Sequence, residues 1–422
     1  MRLLFFNRSF YPDVEATGQL LTELCQDLGN DHDVTVVAGR PYNMKRFGSW
    51  LPIRREKHDR VSILRAYNPR LNKRLFAGRV MNLLSYFCFS FVAGFFAKQP
   101  EVVIVETDPP VLGLIGLFFA RWYHAKFVFY LQDLYPDVGI ALGKLKNPLL
   151  IRALEACTQR ILNAADRVVV LGDDMRERVM AKGYGHPERI CVIPNWVDTT
   201  QIQPPDVVNL FRQQHGLDGR FVVMFSGNLG LSQGLECVIN AACAFAGDDR
   251  VRFVFVGEGA AKASLMELAR SRHLTNTLFL PYQPKELLSM SLSAADIHLV
   301  PLRRGVAGLI VPSKVYGIMA AGRPFISAIE EDSHPAQILR EHRCGLRAAP
   351  DSPAELEQAI GWALRHPDEL QEMGQRGRMA AVNHFDRKIS VGKFRTMVDA
   401  LRPQSRELAA ENRRDAASQK AY

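Results

Sequence analysis

The sequence predicts two α/β domains, each a parallel sheet covered by helices, facing each other across a cleft. Three observations carry this. Short apolar runs alternate with longer helical patterns from the first residue onward, the signature of parallel strands joined by helical crossovers. The pattern occurs twice, restarting after Arg220. The chain has 422 residues, more than one core usually organises, since domains mostly run about 100 to 200 residues.

Taken in order, "RLLFFN", "DVTVVAG", "VSILRAY", "VVIVET", "KFVFYLQD", "RVVVLG" and "ICVIPN" read as the strands of the first sheet. "FVVMFSGN", "VRFVFVGEG", "TLFLPY", "DIHLVPL", "PFISAI" and "CGLRAAP" read as those of the second. Between them "NWVDTTQIQPPDVV", with Pro204 and Pro205 adjacent, predicts a linker near residues 196–208. The expected division is 1–200, 201–385, a C-terminal helix over 386–402 that can return to the first domain, and a polar tail over 403–422. In open parallel sheets ligands bind at the carboxyl ends of strands, so loops that follow strands are where chemistry is sought.

With 47% hydrophobic and 23% charged residues, the composition excludes a disordered or fibrous chain. The net charge of +9 favours anionic partners. Seven cysteines lie scattered with no C-x-x-C pair, which argues against a disulfide framework and a zinc site and fits a reducing cytoplasm. The start "MRLLFFNRSFYPD" meets polar residues too early for a signal peptide.

The stretch "GLIVPSKVYGIMAAGRPFI" brings Lys314 to the start of a helix, with Ser313 as the expected N-cap and Gly322 at its end. A helix N-terminus attracts anions, and a lysine there suits a phosphate; alone, it reads equally as a solvated lysine whose stem covers apolar surface. Gly305 and Gly308 allow close backbone approach, and Arg303 and Arg304 end the preceding strand, so together they suggest a diphosphate pocket. A second loop, "FSGNLGLSQGLE", carries Gly227, Gly230 and Gly234 before a helix. It lacks the Walker signature, and "VGEGAAK" has Lys262 where a dinucleotide fingerprint needs its third glycine. In the first half Thr17 and Gly18 open a helix, and Asp133 follows a strand, where it could serve an attacking hydroxyl or cap the turn before Pro136.

The motifs "FYPD...TG", "YLQDLYPD", "VIPNWVD", "GNLGLSQGL", "VFVGEG", "LPY" and "VPSKVYGIMAAGRP" occur in an order that resembles the GT-B glycosyltransferases of family 4, and within it the WbuB-type enzymes of bacterial surface polysaccharides. The resemblance covers about residues 1–400. It implies two Rossmann-like domains and a metal-independent, retaining transfer of a sugar from a nucleotide diphosphate donor, UDP-linked, to an acceptor hydroxyl. The first domain would present the acceptor and the second would hold the donor. By the same resemblance the Gly227–Gly234 loop and the Val306–Lys314 loop, including Gly308, Val311, Pro312 and Ser313, would cradle the diphosphate. Gly257, Glu258, Leu280, Pro281 and Tyr282 would flank ribose and base. Thr17 and Gly18 would lie above the reacting phosphate, with Asp133 near the acceptor hydroxyl.

The chain departs from that pattern in three places. Asn228 and Gln233 stand where relatives carry an arginine and a lysine for the phosphates, which raises the weight on Lys314 and on Arg303 or Arg304. Leu309 and Gly317 replace an E-x7-E pair, leaving Glu330, Glu331 or Asp332 as the ribose acceptor, with Glu331 the assignment adopted. A family histidine near the acceptor strand is missing, with Asp133 close to its place. A non-catalytic nucleotide-sugar-binding protein and a sugar-nucleotide 2-epimerase are the alternative readings. The only D-x-D, Asp31 to Asp33, reads as a turn rather than as a metal pair, so no metal or cofactor is expected.

Arg54–Arg74 holds eight Lys or Arg against two acids, and an apolar stretch over Val80–Ala97 follows. That stretch nears the roughly 20 residues of a membrane span, but Asn82, Ser85 and Ser90 interrupt it and a buried or surface-lying helix accounts for it as well. The combination suits peripheral binding to the cytoplasmic membrane surface and, by the resemblance, a lipid-diphosphate-linked saccharide acceptor. No nucleic-acid-binding motif accompanies the basic strip.

Overall fold

The structure, a computed structural model, describes residues 1–13, 15–41, 52–69, 71, 76–204 and 208–402. Pro205, the 403–422 tail, and Arg70, Lys73 and Arg74 of the basic strip therefore lie outside the described residues. In the first half the strands are β1 (Arg2–Phe6), β2 (Asp33–Gly39), β3 (Ile53–His58), β4 (Val61–Ala66), β5 (Val102–Glu106), β6 (Lys126–Tyr130), β7 (Arg167–Val170) and β8 (Ile190–Val192). The second half adds β9 (Phe221–Ser226), β10 (Val251–Val256), β11 (Thr277–Leu280), β12 (Ile297–Pro301), β13 (Phe325–Ala328) and β14 (Gly345–Ala348). The first sheet runs β3-β4-β2-β1-β5-β6-β7-β8 and the second β11-β10-β9-β12-β13-β14.

Pairing is parallel where β1 meets β2 and β5, and throughout the second sheet. The strand order of the second sheet reverses at β9, whose neighbours are β10 and β12. Loops after β9 and β12 thus flank a topological switch point, the usual place for a ligand in such sheets.

One strand was not foreseen. β3, "IRREKH", pairs antiparallel with β4 and lies inside the basic strip. Arg54, Arg55 and Lys57 are exposed there, at the sheet edge, where side chains that repel edge pairing are common. Arg65 of the same strip is fully buried: it donates to Glu56 at 3.0 Å, to the Gly39 carbonyl at 3.2 Å and to the Tyr11 carbonyl. It is therefore withdrawn from the basic surface.

Helices α1 (Ala16–Leu28), α2 (Phe76–Gly94), α3 (Gly113–Trp122), α4 (Asp137–Ala141), α5 (Pro148–Ala164) and α6 (Asp173–Ala181) accompany the first sheet. The second is accompanied by α7 (Leu210–Gln214), α8 (Leu235–Ala242), α9 (Lys262–Ser271), α10 (Leu288–Ser293), α11 (Lys314–Ala320), α12 (His334–His342), α13 (Pro353–Arg365) and α14 (Pro367–His384), with α15 (Arg387–Asp399) last. Caps follow local chemistry: Asn147 accepts from the amides of Leu149 and Leu150, Ser333 from Ala336 and Ser352 from Glu355, each before a proline in the first turn. Among the described residues no helix is long and apolar enough to cross a membrane, α2 included.

Both faces of the second sheet are buried by period-two alternation. Val223 and Phe225 of β9 pack with Leu235, Phe253, Phe255 and Ile360, whereas Val222 and Met224 pack with Phe211, Val254 and Val256. By their internal contacts the residues form two compact units, Met1–Phe129 with the segment from Val391 onward, and Tyr130–Ser390. In the first unit α15 buries Val391, Phe394 and Val398, and Arg395 lies 3.0 Å from the Asp31 carboxylate.

Candidate active site

At the carboxyl end of β9 the chain turns through Gly227, and at the end of β10 through Gly257, with φ of 138° and 144°. Both values suit glycine alone. A Cβ on Gly257 would sit 1.9 Å from the Gly227 carbonyl oxygen, and one on Gly259 would sit 2.3 Å from that of Leu229. Leu229 N–H donates to the Glu258 carbonyl at 2.8 Å, so the two loops are stitched backbone to backbone. Lys262 closes the same corner: its Nζ donates to the Gly257 carbonyl at 3.0 Å, to Glu258 Oε1 at 2.6 Å and to the Leu280 carbonyl at 3.4 Å. Gly257, Glu258, Leu280 and Tyr282 are thus gathered, with the exposed Tyr282 ring edge 3.5 Å from where a Gly257 Cβ would lie. Pro281 between them is exposed. Local sequence does not reveal that Lys262 ties this corner, because the Leu280 carbonyl it reaches lies on β11, 18 residues away.

Beyond β12 the 302–313 loop leads into α11. Ser313 differs from expectation: it is already helical in φ and ψ, its hydroxyl caps nothing, and the helix begins at Lys314. The lysine side chain folds toward β9. Its Nζ donates to Gln233 Oε1 at 2.8 Å and lies 3.6 Å from the centroid of the Phe225 ring. A Cβ on Gly227 would come within 3.5 Å of the same nitrogen. Lys314 and the Gly227–Gln233 loop are therefore brought together from positions far apart in the chain. Among the described residues no carboxylate pairs with this ammonium; its partners are a neutral amide oxygen and a ring face. Burial pulls the Lys314 pKa well below the ordinary lysine range. His298 of β12 is held down to about 4, first by burial, with Arg323 and Lys314 adding to it, so it stays neutral at neutral pH.

The arginines at the end of β12 are held by groups of the protein, Arg303 in part by the loop after β9. Arg303 donates to both oxygens of Glu236 at 2.9 and 3.0 Å and to the Leu231 carbonyl at 2.7 Å. Arg304 bonds the Pro350 carbonyl at 3.1 Å. Of the three acids after β13, Glu330 accepts from the Gly305 amide and buries its second oxygen, while Glu331 is exposed, 3.5 Å from Arg347. Asn228 is exposed, with Gly230 half-buried beside it. Val311 and Pro312 are buried. Gly308, with φ of 71°, leaves no room for a side chain: a Cβ would meet the Asp174 carbonyl at 2.9 Å. Gly317 faces Leu292, whose methyl would lie 3.3 Å from a Cβ there.

Two family models match the chain, "Glycosyl transferase 4-like domain" over residues 16–196 and "Glycosyl transferases group 1" over residues 207–380. The chain belongs to the family 4 glycosyltransferases. It is 28% identical over 341 residues to the probable glycosyltransferase WbjE of Pseudomonas aeruginosa, covering 80% of this chain and 84% of that protein. It is 28% identical over 383 residues to the putative colanic acid biosynthesis glycosyl transferase WcaI of Escherichia coli K12, covering 87% and 93%. Among solved structures, sucrose-phosphate synthase of Thermosynechococcus elongatus superposes with a TM-score of 0.75 at 15% identity, covering 95% of this chain and 99% of that one. Anabaena Alr3699/HepE in complex with UDP-glucose superposes with a TM-score of 0.71 at 16% identity, with the same coverage. The fold is GT-B.

In this glycosyltransferase the first-half residues lie as follows. Gly18 is buried in α1, where a Cβ would meet Ser9 Oγ at 2.5 Å, and its carbonyl accepts from the Thr22 hydroxyl at 2.7 Å. Thr17 beside it is half-buried. Asp133 forms an isolated antiparallel bridge with Ile310, and the Leu134 amide donates to the Leu309 carbonyl at 2.8 Å. The strand end carrying Asp133 is therefore pinned to the loop that precedes Lys314. Asp174 reinforces the junction, accepting from the His334 amide at 2.8 Å, while His334 Nε2 contacts the Tyr316 hydroxyl at 3.1 Å. Nothing in the local sequence of Asp174 pointed to this role, since its partner is 160 residues away.

Proposed function

We propose that this glycosyltransferase moves a sugar, with retention and without a metal, from a UDP-linked donor to a lipid-diphosphate-linked or oligosaccharide acceptor in bacterial surface polysaccharide synthesis. The observation that carries the reading is Lys314: a half-buried ammonium, matched by no carboxylate among the described residues, beside glycine backbone at the switch point of the second sheet. Such a charge is poised for an anion that brings its own negative charge. As the anomeric C–O bond breaks, charge builds on the leaving diphosphate and the sugar becomes cation-like; an ammonium fixed there stabilises the transition state more than the bound donor. With that charge supplied by the protein, the leaving group needs no divalent ion.

Residues 201–385 would hold the donor, with Gly227–Gly234 and Val306–Lys314 at the diphosphate and Gly257, Glu258 and Leu280–Tyr282 at ribose and base. Residues 1–200 would present the acceptor, with Thr17 and Gly18 over the reacting phosphate and Asp133 at the acceptor hydroxyl; the 386–402 helix returns to that domain. The Asp133–Ile310 bridge supports a coupling between the two ends of the reaction. The names of WbjE and WcaI support a surface-polysaccharide setting, and HepE with UDP-glucose supports the nucleotide. The enzyme would work peripherally on the cytoplasmic membrane face, where a lipid-linked acceptor resides.

The test is a thermal-shift panel of nucleotides followed by an assay for UDP release. Stabilisation by UDP, and release of UDP from its sugar conjugates when a polyprenyl-diphosphate saccharide is added, are expected. UDP release that is indifferent to acceptor, or absence of any nucleotide-induced shift, would defeat the reading.

A further inference from the structure

Helix α2 packs inside out. Its buried face carries Asn82, Tyr86 and Ser90. The Asn82 amide exchanges hydrogen bonds with the Leu71 backbone at 2.8 and 2.9 Å, the Tyr86 hydroxyl donates to the Val37 carbonyl at 3.0 Å, and the Ser90 hydroxyl donates to the Phe87 carbonyl at 2.9 Å. Its exposed face carries Met81, Leu84 and Val92, continued by Phe95 at the same helical spacing, with Leu84 55% exposed. A helix at a water surface shows the reverse pattern. Two of the three polar anchors tie α2 down to other segments of the protein, so it lies along the surface with its apolar stripe outward.

The stripe runs on into α3. Trp122, 59% exposed, stacks on Phe118 with ring centroids 5.9 Å apart, and both rings reach Phe95, at 5.9 and 6.1 Å. Cations border the rings. Arg121 is exposed next to Trp122, and Arg55 donates to the Phe96 carbonyl at 3.3 Å. From Arg60 to Pro100 the sequence holds seven Lys or Arg, the buried Arg65 among them, and no acid, and from Val111 to Gln132 two more cations and again no acid. An apolar face with an indole at its rim and the exposed cations Arg55 and Arg121 beside it, with Lys98 paired to Asp33 at 2.8 Å, matches an anionic bilayer surface; a protein partner would more often meet mixed charge.

We propose that α2 and α3 form a face that dips into the headgroup region of an anionic bilayer, with α2 parallel to the membrane plane. This deepens the peripheral part of the reading above and does not depend on the donor chemistry. Arg55 and Arg121 then serve as the cationic border of the contact, and the exposed apolar side chains supply its centre.

The experiment is flotation of the full chain with vesicles of phosphatidylcholine mixed with phosphatidylglycerol, and of phosphatidylcholine alone. Wild type is expected to float with the mixed vesicles, and the Leu84→Ser/Trp122→Ser variant to partition about tenfold less or weaker, with its circular dichroism spectrum and cooperative melting retained as evidence of folding. Trp122→Phe is expected to float normally while losing the quenching of protein fluorescence by brominated lipid. Equal partitioning of wild type and the double variant overturns the proposal, as does equal quenching of wild type and Trp122→Phe. Equal flotation with neutral vesicles, or a solution dimer that the double substitution dissociates, overturns it too. Lys314→Ala, which tests the donor site, is expected to float as wild type does, so the two proposals fail separately.

Discussion

Replacing Lys314 with methionine keeps an apolar stem over Phe225 and deletes the ammonium that donates to Gln233. Two opposite effects follow. In the free enzyme the depressed pKa means that burial outweighs the help from Gln233 and the ring, so removing the charge leaves stability unchanged or raises it by about 1 kcal/mol. With a diphosphate in place, the same change removes a charge-assisted hydrogen bond of about 1.5–3 kcal/mol, roughly 10- to 100-fold in UDP affinity. The loss grows as the leaving group develops charge, to about 2.7–4 kcal/mol, or roughly 100- to 1,000-fold in turnover at saturating donor. Calorimetric titration with UDP and a coupled UDP-release assay read these two quantities separately. The pH dependence has a definite sign. Because the lysine is depressed in the free fold, its cationic form is lost as pH rises through a value below the ordinary lysine range, so UDP affinity should fall on the alkaline side in wild type and stay level in Lys314→Met. The cost of burying the charge is full below that depressed pKa and fades as pH rises from it to the ordinary lysine value, so any stability advantage of the variant should shrink as pH rises through that window. Unchanged turnover at saturating donor, or unchanged UDP affinity, would refute the reasoning.

Other substitutions probe the surroundings. Gly257→Ala places a Cβ 1.9 Å from the Gly227 carbonyl at a φ that disfavours side chains, and should cost about 3 kcal/mol or more, seen as a Tm lower by several degrees together with loss of the UDP-induced shift. Arg303→Gln removes a partly exposed pair with Glu236; it should cost no more than about 1 kcal/mol and leave turnover within about threefold, whereas a hundredfold loss would put the guanidinium on the donor. Asp133→Asn should lower turnover about 100-fold or more while UDP affinity holds, and normal turnover would remove it from proton transfer.

Strands with uninterrupted apolar runs were legible because burial on both faces demands that composition. β3 was not, because "IRREKH" satisfies only an edge and takes its register from β4. The glycines of the β9 and β10 turns were visible as candidates, but that their backbones touch depends on two loops meeting. Lys314 stood out by its place before an apolar helix, yet its Gln233 acceptor is 81 residues distant, and the engagement of Arg303 with Glu236 spans 67. Local sequence proposes charges; only the fold decides which are matched internally. The same holds for α2, where the sequence shows Asn82 and Ser90 as interruptions of an apolar run and the structure turns them inward.

The packing of α15 against the first unit has a consequence for synthesis. Val391, Phe394 and Val398 fill a core whose other members emerge within the first 129 residues, and Arg395 reaches Asp31. During translation that early core must wait, incompletely sealed, while some 260 intervening residues are made. A fragment ending before residue 387 should therefore leave a hydrophobic seam open on its amino-terminal portion, and adding the missing helix as a separate peptide should close it.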